Sequence, residues 1–266
     1  MRVSLRRVEV TRYVTPFREG GSLPALIEAD DEGMYVLKFR GAGQGRKALV
    51  AEVITGELAR SAGLPVPELV VAELDPVLAR SEPDPEIQDL IRASAGLNLG
   101  MDYLPGSLGF DPLASPIAES LAAQILWFDA FTTNVDRTPH NANLLLWHGE
   151  VWCIDHGASL YFHHSWVGWR EKAKKPFPAA ETHVLLPFVT PDGIEEAGRG
   201  LREKLDDETL RRAVSLVPDE WLDDEAGFDG AGGVRAAYLE YFRLRLEGPG
   251  AWESALRQTV RESGQG

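Results

Sequence analysis

Cysteine is almost absent from the chain, with Cys153 alone among 266 residues. A single thiol cannot form an intramolecular disulfide framework, so the composition favours a reducing compartment, and we expect the cytoplasm. The sequence also lacks a run of the roughly 20 apolar residues that a membrane-spanning helix requires. Its first residues lack the apolar core of a signal peptide. We therefore expect no membrane association.

Basic residues are scarce as well. The chain has 27 Lys and Arg against 41 Asp and Glu, which gives a formal net charge of −14. Proteins that bind nucleic acid directly need basic surface, so we expect no direct contact with nucleic acid. With 44% hydrophobic and 26% charged residues, the chain has the composition of an ordinary globular protein.

The most informative pattern is a set of polar residues around two short apolar runs. Asp136 precedes Asn141 by five positions, and Asp155 follows Asn141 by fourteen. Phosphoryl transfer by kinases requires one carboxylate that orients the acceptor hydroxyl, plus an Asn and a second Asp that hold magnesium on the phosphates. The spacing matches this set. The simpler interpretation is a polar turn before a surface hairpin, and Arg137 could pair with a phosphate, a carboxylate or a phosphorylated residue.

A β-hairpin is predicted between the two metal-binding candidates. The apolar runs 143–147 and 150–154 are separated by His148 and Gly149, a plausible two-residue turn because Gly tolerates positive φ. Such a hairpin would bring Asn141, at its entrance, close to Asp155, at its exit. Magnesium prefers oxygen ligands of this kind and completes its shell with water and phosphate oxygens.

Lys38 lies on a predicted strand that follows a Gly-Gly-Ser turn. A rigid strand that directs an ammonium group towards the α- and β-phosphates is the setting of a kinase lysine. The helix predicted next along the chain offers Glu52 as the partner of this lysine, with Glu57 as the alternative. Strand lysines are also common at exposed edges, so the position alone is weak support for this role.

Two glycine-rich turns could cover the phosphates of a nucleotide. We favour Gly20, Gly21 and Ser22, whose amides could contact phosphate oxygens, over the turn 41–45, which could equally join a strand to a helix. At the end of the last predicted strand, Met101, Asp102 and Tyr103 would offer backbone groups to the adenine edge of ATP.

The order of predicted elements indicates an α+β fold with two lobes. A β-rich N-lobe is expected over residues 1–105 and a mainly helical C-lobe, with the catalytic loop, over 106–266. Predicted strands cover 7–14, 23–28, 35–39, 69–74 and 95–103, and predicted helices cover 47–62, 115–132, 195–205, 208–215 and 233–246. The acidic residues between 219 and 225 are interpreted as a linker or a solvated helix end.

These features resemble the HipA-like kinases and, more distantly, the phosphoinositide and eukaryotic protein kinases. The similar segments are the strand 35–39, the helix around Glu52 with the Gly-Leu-Pro-Val-Pro run 63–67, the 136–141 loop, and Asp155. In this loop, relatives usually have His directly after the Arg, whereas Thr138 and Pro139 come first here. The extra N-terminal subdomain of full-length HipA toxins is expected to be missing.

The resemblance implies a two-lobed kinase fold with ATP and Mg²⁺ in the cleft. It implies that Asp136 is the catalytic aspartate, that Asn141 and Asp155 bind metal, and that Lys38 binds phosphate. We expect a serine/threonine protein kinase. A small-molecule kinase of the antibiotic type and a nucleotide-binding pseudokinase are the alternatives. The expected partner is a protein or small molecule with an acceptor hydroxyl, with a small regulatory protein as a further candidate. Ser22 is a candidate for self-phosphorylation, because HipA-like kinases have a phosphorylatable serine in that loop region.

Overall fold

The computed structural model describes residues 4–17, 23–43, 45–223, 225–247 and 250–264. The strands are β1 (Arg6–Pro16), β2 (Ala25–Ala29), β3 (Met34–Lys38), β4 (Leu69–Leu74), β5 (Gly96–Asp102), β6 (Leu108–Gly109), β7 (Leu144–Trp147) and β8 (Glu150–Cys153). The helices are α1 (Arg46–Ala62), α2 (Pro85–Ala93), α3 (Glu119–Thr132), α4 (Trp169–Lys172), α5 (Pro191–Lys204), α6 (Asp207–Ser215), α7 (Asp219–Leu222), α8 (Gly230–Leu246) and α9 (Ala251–Ser263).

The first five strands close into a barrel in the order β1-β2-β3-β5-β4. Successive side chains of a strand point to opposite faces. Tyr35 and Leu37 therefore pack inside the barrel, which leaves Lys38 on the opposite face. The interior is narrow at Gly100, where an added Cβ would lie 2.7 Å from a methyl group of Val70. Glycine at this position allows the barrel to close.

Helix α1 lies between the barrel and the helical part of the chain. Its apolar side chains, such as Leu49, Ile54 and Leu58, belong to one core cluster with the outer face of β5 and with residues of α3 and α5–α9. The helix ends at Gly63, whose φ of 88° suits a residue without a Cβ. Helix α1, which contains Glu52, therefore packs against both the barrel and the C-terminal helices.

The C-terminal part is mainly helical and contains a small antiparallel sheet of β6, β7 and β8. Helix α3 passes through its core, with Trp127, Phe128 and Phe131 buried. Helix α5 begins at Pro191 after Thr190, whose hydroxyl oxygen accepts a hydrogen bond from a first-turn amide. In the part of the chain described above, no helix has both the length and the apolar character required to cross a membrane.

The α+β class is confirmed, and so are the five barrel strands, the hairpin and the five long predicted helices, with ends displaced by a few residues. Helices α2 and α9 were not predicted. Part of the acidic segment is a helix and not a linker, because α7 occupies residues 219–222 with the exposed Asp219 at its start, and Glu220 and Glu225 form ion pairs with Arg40 and Lys47. The lobe boundary between residues 105 and 106 stays a prediction.

Candidate active site

Lys38 is at the centre of the cleft between the barrel and the helical part. Its Nζ donates hydrogen bonds to a carboxylate oxygen of Glu52 on α1 and to Oδ1 of Asp155, the latter at 2.8 Å. The lysine side chain is 11% exposed. Residues from the barrel, from α1 and from the segment after β8 thus meet at one ammonium group.

Glu52 is the acidic residue of α1 that reaches this lysine. Its side chain is 1% exposed, and the oxygen that contacts Lys38 also accepts from the Gly157 amide at 2.9 Å. Glu57 lies about 140° further around the helix, given 3.6 residues per turn. It pairs instead with Arg60, at 2.9 Å. The structure places Glu52 beside the lysine, in the position that the sequence favoured.

Glu52 and Asp155 share the single ammonium group of Lys38, and this arrangement shifts the pKa of each carboxyl group. Burial alone would lower the pKa of Lys38, but the charges of Asp155 and Glu52 outweigh it and raise that pKa. Burial also raises the pKa of Glu52 to about 7, although Lys38 acts in the opposite direction. The pKa of Asp155 is lowered, mainly by the charge of Lys38. A second cation beside Asp155 would relieve this excess of negative charge.

The loop after α3 presents Asp136 to the same cleft. Its Oδ2 accepts a hydrogen bond from the Asn141 amide at 2.8 Å and a longer one from Asn143 at 3.5 Å. Burial raises the pKa of Asp136, and the charge of Asp155 raises it further. The carboxylates of Asp136 and Asp155 are therefore close enough to repel each other.

The predicted hairpin is present, and it lies between the two candidate metal ligands in the chain. His148 and Gly149 both have positive φ, 50° and 83°, as a tight hairpin turn requires. At the base of the hairpin, the Ile154 amide donates to the Asn143 carbonyl at 3.0 Å. Asp155 itself has a φ of 53°, which is uncommon for a residue with a side chain and is often associated with functional sites.

Metal-binding chemistry fits the oxygen atoms of this pair. The side-chain amide nitrogen of Asn141 donates to Asp136, which leaves its carbonyl oxygen for a cation. The side chain of Asp155 is 44% exposed, so it is accessible from the cleft. An amide oxygen and a carboxylate match the preference of a hard cation that completes its shell with phosphate oxygens and water.

The residues predicted to contact a nucleotide base lie at the exit of the barrel. The amide of Asp102 donates to the Glu68 carbonyl at 2.8 Å and that of Tyr103 to the Met34 carbonyl at 3.0 Å, so neither amide is free for an adenine. Among the described residues, none accepts from the amide of Leu104, a residue that the sequence did not indicate. Met101 is buried in the core between barrel and helix.

The described residues do not support a phosphate-binding role for either glycine-rich turn. Gly20, Gly21 and Ser22 lie outside the described residues. In the second turn, the Gly41 amide donates to the Ser94 hydroxyl and the Gly45 amide to the Ala42 carbonyl. These amides are occupied, which favours the interpretation that this turn joins β3 to α1.

A buried polar network next to the loop 136–141 was not predicted from the sequence. Asp129, Arg137 and His183 are each at most 3% exposed. Arg137 Nε donates to Asp129 at 2.5 Å, and His183 Nε2 lies 3.0 Å from the same carboxylate oxygen. Of the three partners left open for Arg137, the structure shows a carboxylate. A lone acidic residue among the apolar side chains of α3 was the available signal, whereas nothing in the sequence indicated His183.

His156, directly after Asp155, is also buried. Burial lowers its pKa to about 3, so the ring is neutral, and its Nδ1 lies 3.8 Å from a carboxylate oxygen of Glu52. This neutral ring lies beside Glu52 and adds no charge to the Lys38–Glu52 pair.

Comparison with a solved structure shows that the fold is similar to that of a kinase. The crystal structure of the Helicobacter pylori proinflammatory kinase CtkA matches with a TM-score of 0.56 and 11% sequence identity, over 96% of this chain and 99% of that chain. The golgi casein kinase matches with a TM-score of 0.45 and 11% identity, over 98% of this chain and 75% of that chain.

Comparison with family profiles is more specific than the similarity of folds, because it can identify the family. No protein of curated function matches the chain. The HipA-like kinase family profile matches residues 9–239, a range that includes the barrel, the cleft and most of the C-terminal helices. The chain therefore belongs to the HipA-like kinase family.

Proposed function

We propose that this kinase transfers the γ-phosphate of ATP, with Mg²⁺, to serine or threonine hydroxyls of a protein. The observation that carries the proposal is the convergence of Lys38, Glu52 and Asp155 in the cleft that also contains the Asp136–Asn141 pair. This arrangement combines a fixed cation for phosphates, oxygen ligands for a metal and a carboxylate for the acceptor.

Each group has a distinct part in the proposed reaction. Lys38, held by Glu52, binds the phosphates of the nucleotide. Asn141 and Asp155 would hold Mg²⁺, which neutralises charge on the phosphates when bound. Asp136 accepts a hydrogen bond from the acceptor hydroxyl and takes its proton, and the pKa raised by burial and by Asp155 suits that task.

The proposed nucleotide base lies at the exit of the barrel, against carbonyl groups of the predicted residues and one amide next to them. Carbonyl groups of 101–103 and the Leu104 amide are the backbone groups that we propose for adenine, since the amides of Asp102 and Tyr103 are occupied. The proposal places the enzyme in the cytoplasm with a protein as its substrate, and a small regulatory protein stays a candidate partner.

Labelled ATP tests the proposal and its alternatives together. The pure protein is incubated with γ-labelled ATP and Mg²⁺, with and without cell lysate, and Asp136→Ala is the matched control. We expect label on protein serine or threonine that the variant does not produce. Label on small molecules alone would indicate the small-molecule kinase. Nucleotide binding without any transfer would indicate a pseudokinase.

A further inference from the structure

Arg137, the residue after the catalytic aspartate, is buried inside the protein, and two of its three guanidinium nitrogens donate hydrogen bonds to described residues while Nη2 has no partner among them. It is 1% exposed, its Nε donates to Asp129, and its Nη1 donates to the carbonyls of Ala142 and Asn143. Burial would lower the pKa of Arg137, but the charge of Asp129 outweighs it and raises the pKa. The guanidinium therefore holds both ends of the loop that contains Asp136 and Asn141.

Asp129 also connects this loop to the segment that follows the metal-binding aspartate. Nδ1 of His183 accepts from the Leu185 amide at 3.1 Å, so the proton is on Nε2, which donates to Asp129 at 3.0 Å. The Asn134 amide donates to the other carboxylate oxygen at 3.1 Å. In addition, the Val184 amide donates to the Arg137 carbonyl at 3.1 Å. One carboxylate thus joins α3, the catalytic loop and residues 183–185.

A second cation, at the edge of the cleft, also pairs with a carboxylate of the chain. Lys47, in the first turn of α1, donates to the His163 carbonyl at 2.7 Å and to Glu225 at 3.0 Å. Kinases that are switched by phosphorylation leave basic groups of this kind to a phosphate on the loop after the metal-binding aspartate, and the new ion pairs order that loop. Here a carboxylate of the chain pairs with each cation, Asp129 with Nε of Arg137 and Glu225 with Lys47.

We propose that Asp129 replaces an activating phosphate: it is a positioning residue that fixes the catalytic loop through Arg137 and docks residues 183–185 through His183. The inference rests on the proposed function. It means that the loop is ordered as soon as the chain folds and that transfer needs no prior phosphorylation of the enzyme.

Phosphatase treatment and one pair of variants test this inference. Wild-type protein is treated with phosphatase until intact mass shows no phosphate, and initial transfer to dephosphorylated casein and ATP hydrolysis are measured. Asp129→Asn is compared with Glu253→Gln, which disrupts a partly buried pair with Arg202 between α5 and α9, away from the cleft. Hydrogen exchange of the peptide that spans residues 134–143 reports loop order without requiring activity.

We expect the phosphate-free enzyme to retain its initial rate within twofold and to protect the 134–143 peptide. Asp129→Asn should lose at least tenfold in kcat and much of that protection, while the Kd for ATP with Mg²⁺ stays within about threefold. Glu253→Gln should lower the melting temperature and keep both kcat and protection. If Asp129→Asn does not fold, His183→Gln is compared in its place.

Several results would overturn the inference. Among them are an initial rate that appears only after preincubation with ATP, or a 134–143 peptide that exchanges freely in phosphate-free protein. A loss of kcat for Asp129→Asn no larger than that for Glu253→Gln would reduce Asp129 to a structural role. Absence of ATP binding in wild-type protein refutes the proposed function instead, and the exchange data still decide on the loop.

Discussion

Replacement of Glu52 by Gln should reduce catalysis sharply without destabilising the fold. Glu52 accepts from Lys38 and from the Gly157 amide inside a nearly inaccessible site. A hydrogen bond to a charged group contributes about 1.5–3 kcal/mol. Because roughly 1.4 kcal/mol corresponds to a factor of ten in rate, kcat/KM should fall roughly 10- to 100-fold. Lys38 keeps Asp155 as a neighbour, so it is loosened rather than freed.

Stability should respond differently, because folding does not favour the ionised form of Glu52. Its pKa in the folded protein is about 7, raised by burial above the ordinary value of 4.5. The folded state therefore binds this proton more tightly than the unfolded state. Ionisation of Glu52 lowers the free energy of unfolding as the pH rises from about 4.5 to about 7. Gln cannot ionise, so the variant should lack this part of the pH dependence and melt at pH 8 no lower than wild type.

Glu57→Gln is the matched control on the same helix. Glu57 pairs with Arg60 three residues away, a partly exposed contact of a kind that contributes about 0.3–0.5 kcal/mol. Steady-state kinetics and melting curves of both variants at pH 8 make the comparison. Equal losses of kcat/KM, or a loss at Glu52 that parallels a lower melting temperature, would show that the lysine partner is assigned wrongly.

Further predictions concern ligand binding, thiol reactivity and self-modification. ATP with Mg²⁺ at about 100 times its Kd should add roughly 2.7 kcal/mol to the free energy of unfolding. This corresponds to roughly 5–10 °C in a melting curve, and a curve unmoved by millimolar nucleotide would argue against nucleotide binding. Burial raises the pKa of Cys153 to about 12, so iodoacetamide at pH 8 should modify it in urea but not in native protein, and rapid native labelling would show that this region opens. Mass spectrometry after incubation with ATP and Mg²⁺ should find phosphate at Ser22, whereas phosphate at Ser159 or Ser165 alone would place self-modification after Asp155.

Much of the cleft could be predicted because its chemistry depends on local pattern. Lys38 belongs to a short alternating strand, and Asp136 to Asn141 is a spacing within one loop. The His148–Gly149 turn fixes the hairpin that returns the chain to Asp155. In each case, sequence neighbours determine the geometry, so the periodicity and the turn residues were sufficient.

Contacts between distant residues could not be predicted in this way. The network of Asp129 with His183 joins positions 54 residues apart, and the pair of Lys47 with Glu225 joins positions 178 apart. Charge alone made the acidic stretch after residue 218 resemble solvated surface. Helix α2 did have a local signal that was not used, since Asp84 caps its N-terminus and Pro85 occupies its first turn.

In the proposed reaction, Asp136 takes the proton of the acceptor hydroxyl, while Asp155 helps to hold the nucleotide through Mg²⁺ and Glu52 helps to hold it through Lys38. Calorimetric titration of Asp136→Ala with ATP and Mg²⁺, followed by single-turnover transfer of labelled phosphate by the same sample, tests it directly, with Asp155→Ala in parallel. The account predicts near-wild-type binding by Asp136→Ala with transfer reduced about 10²- to 10⁴-fold, and weakened metal-dependent binding by Asp155→Ala. Near-wild-type transfer by Asp136→Ala would contradict it.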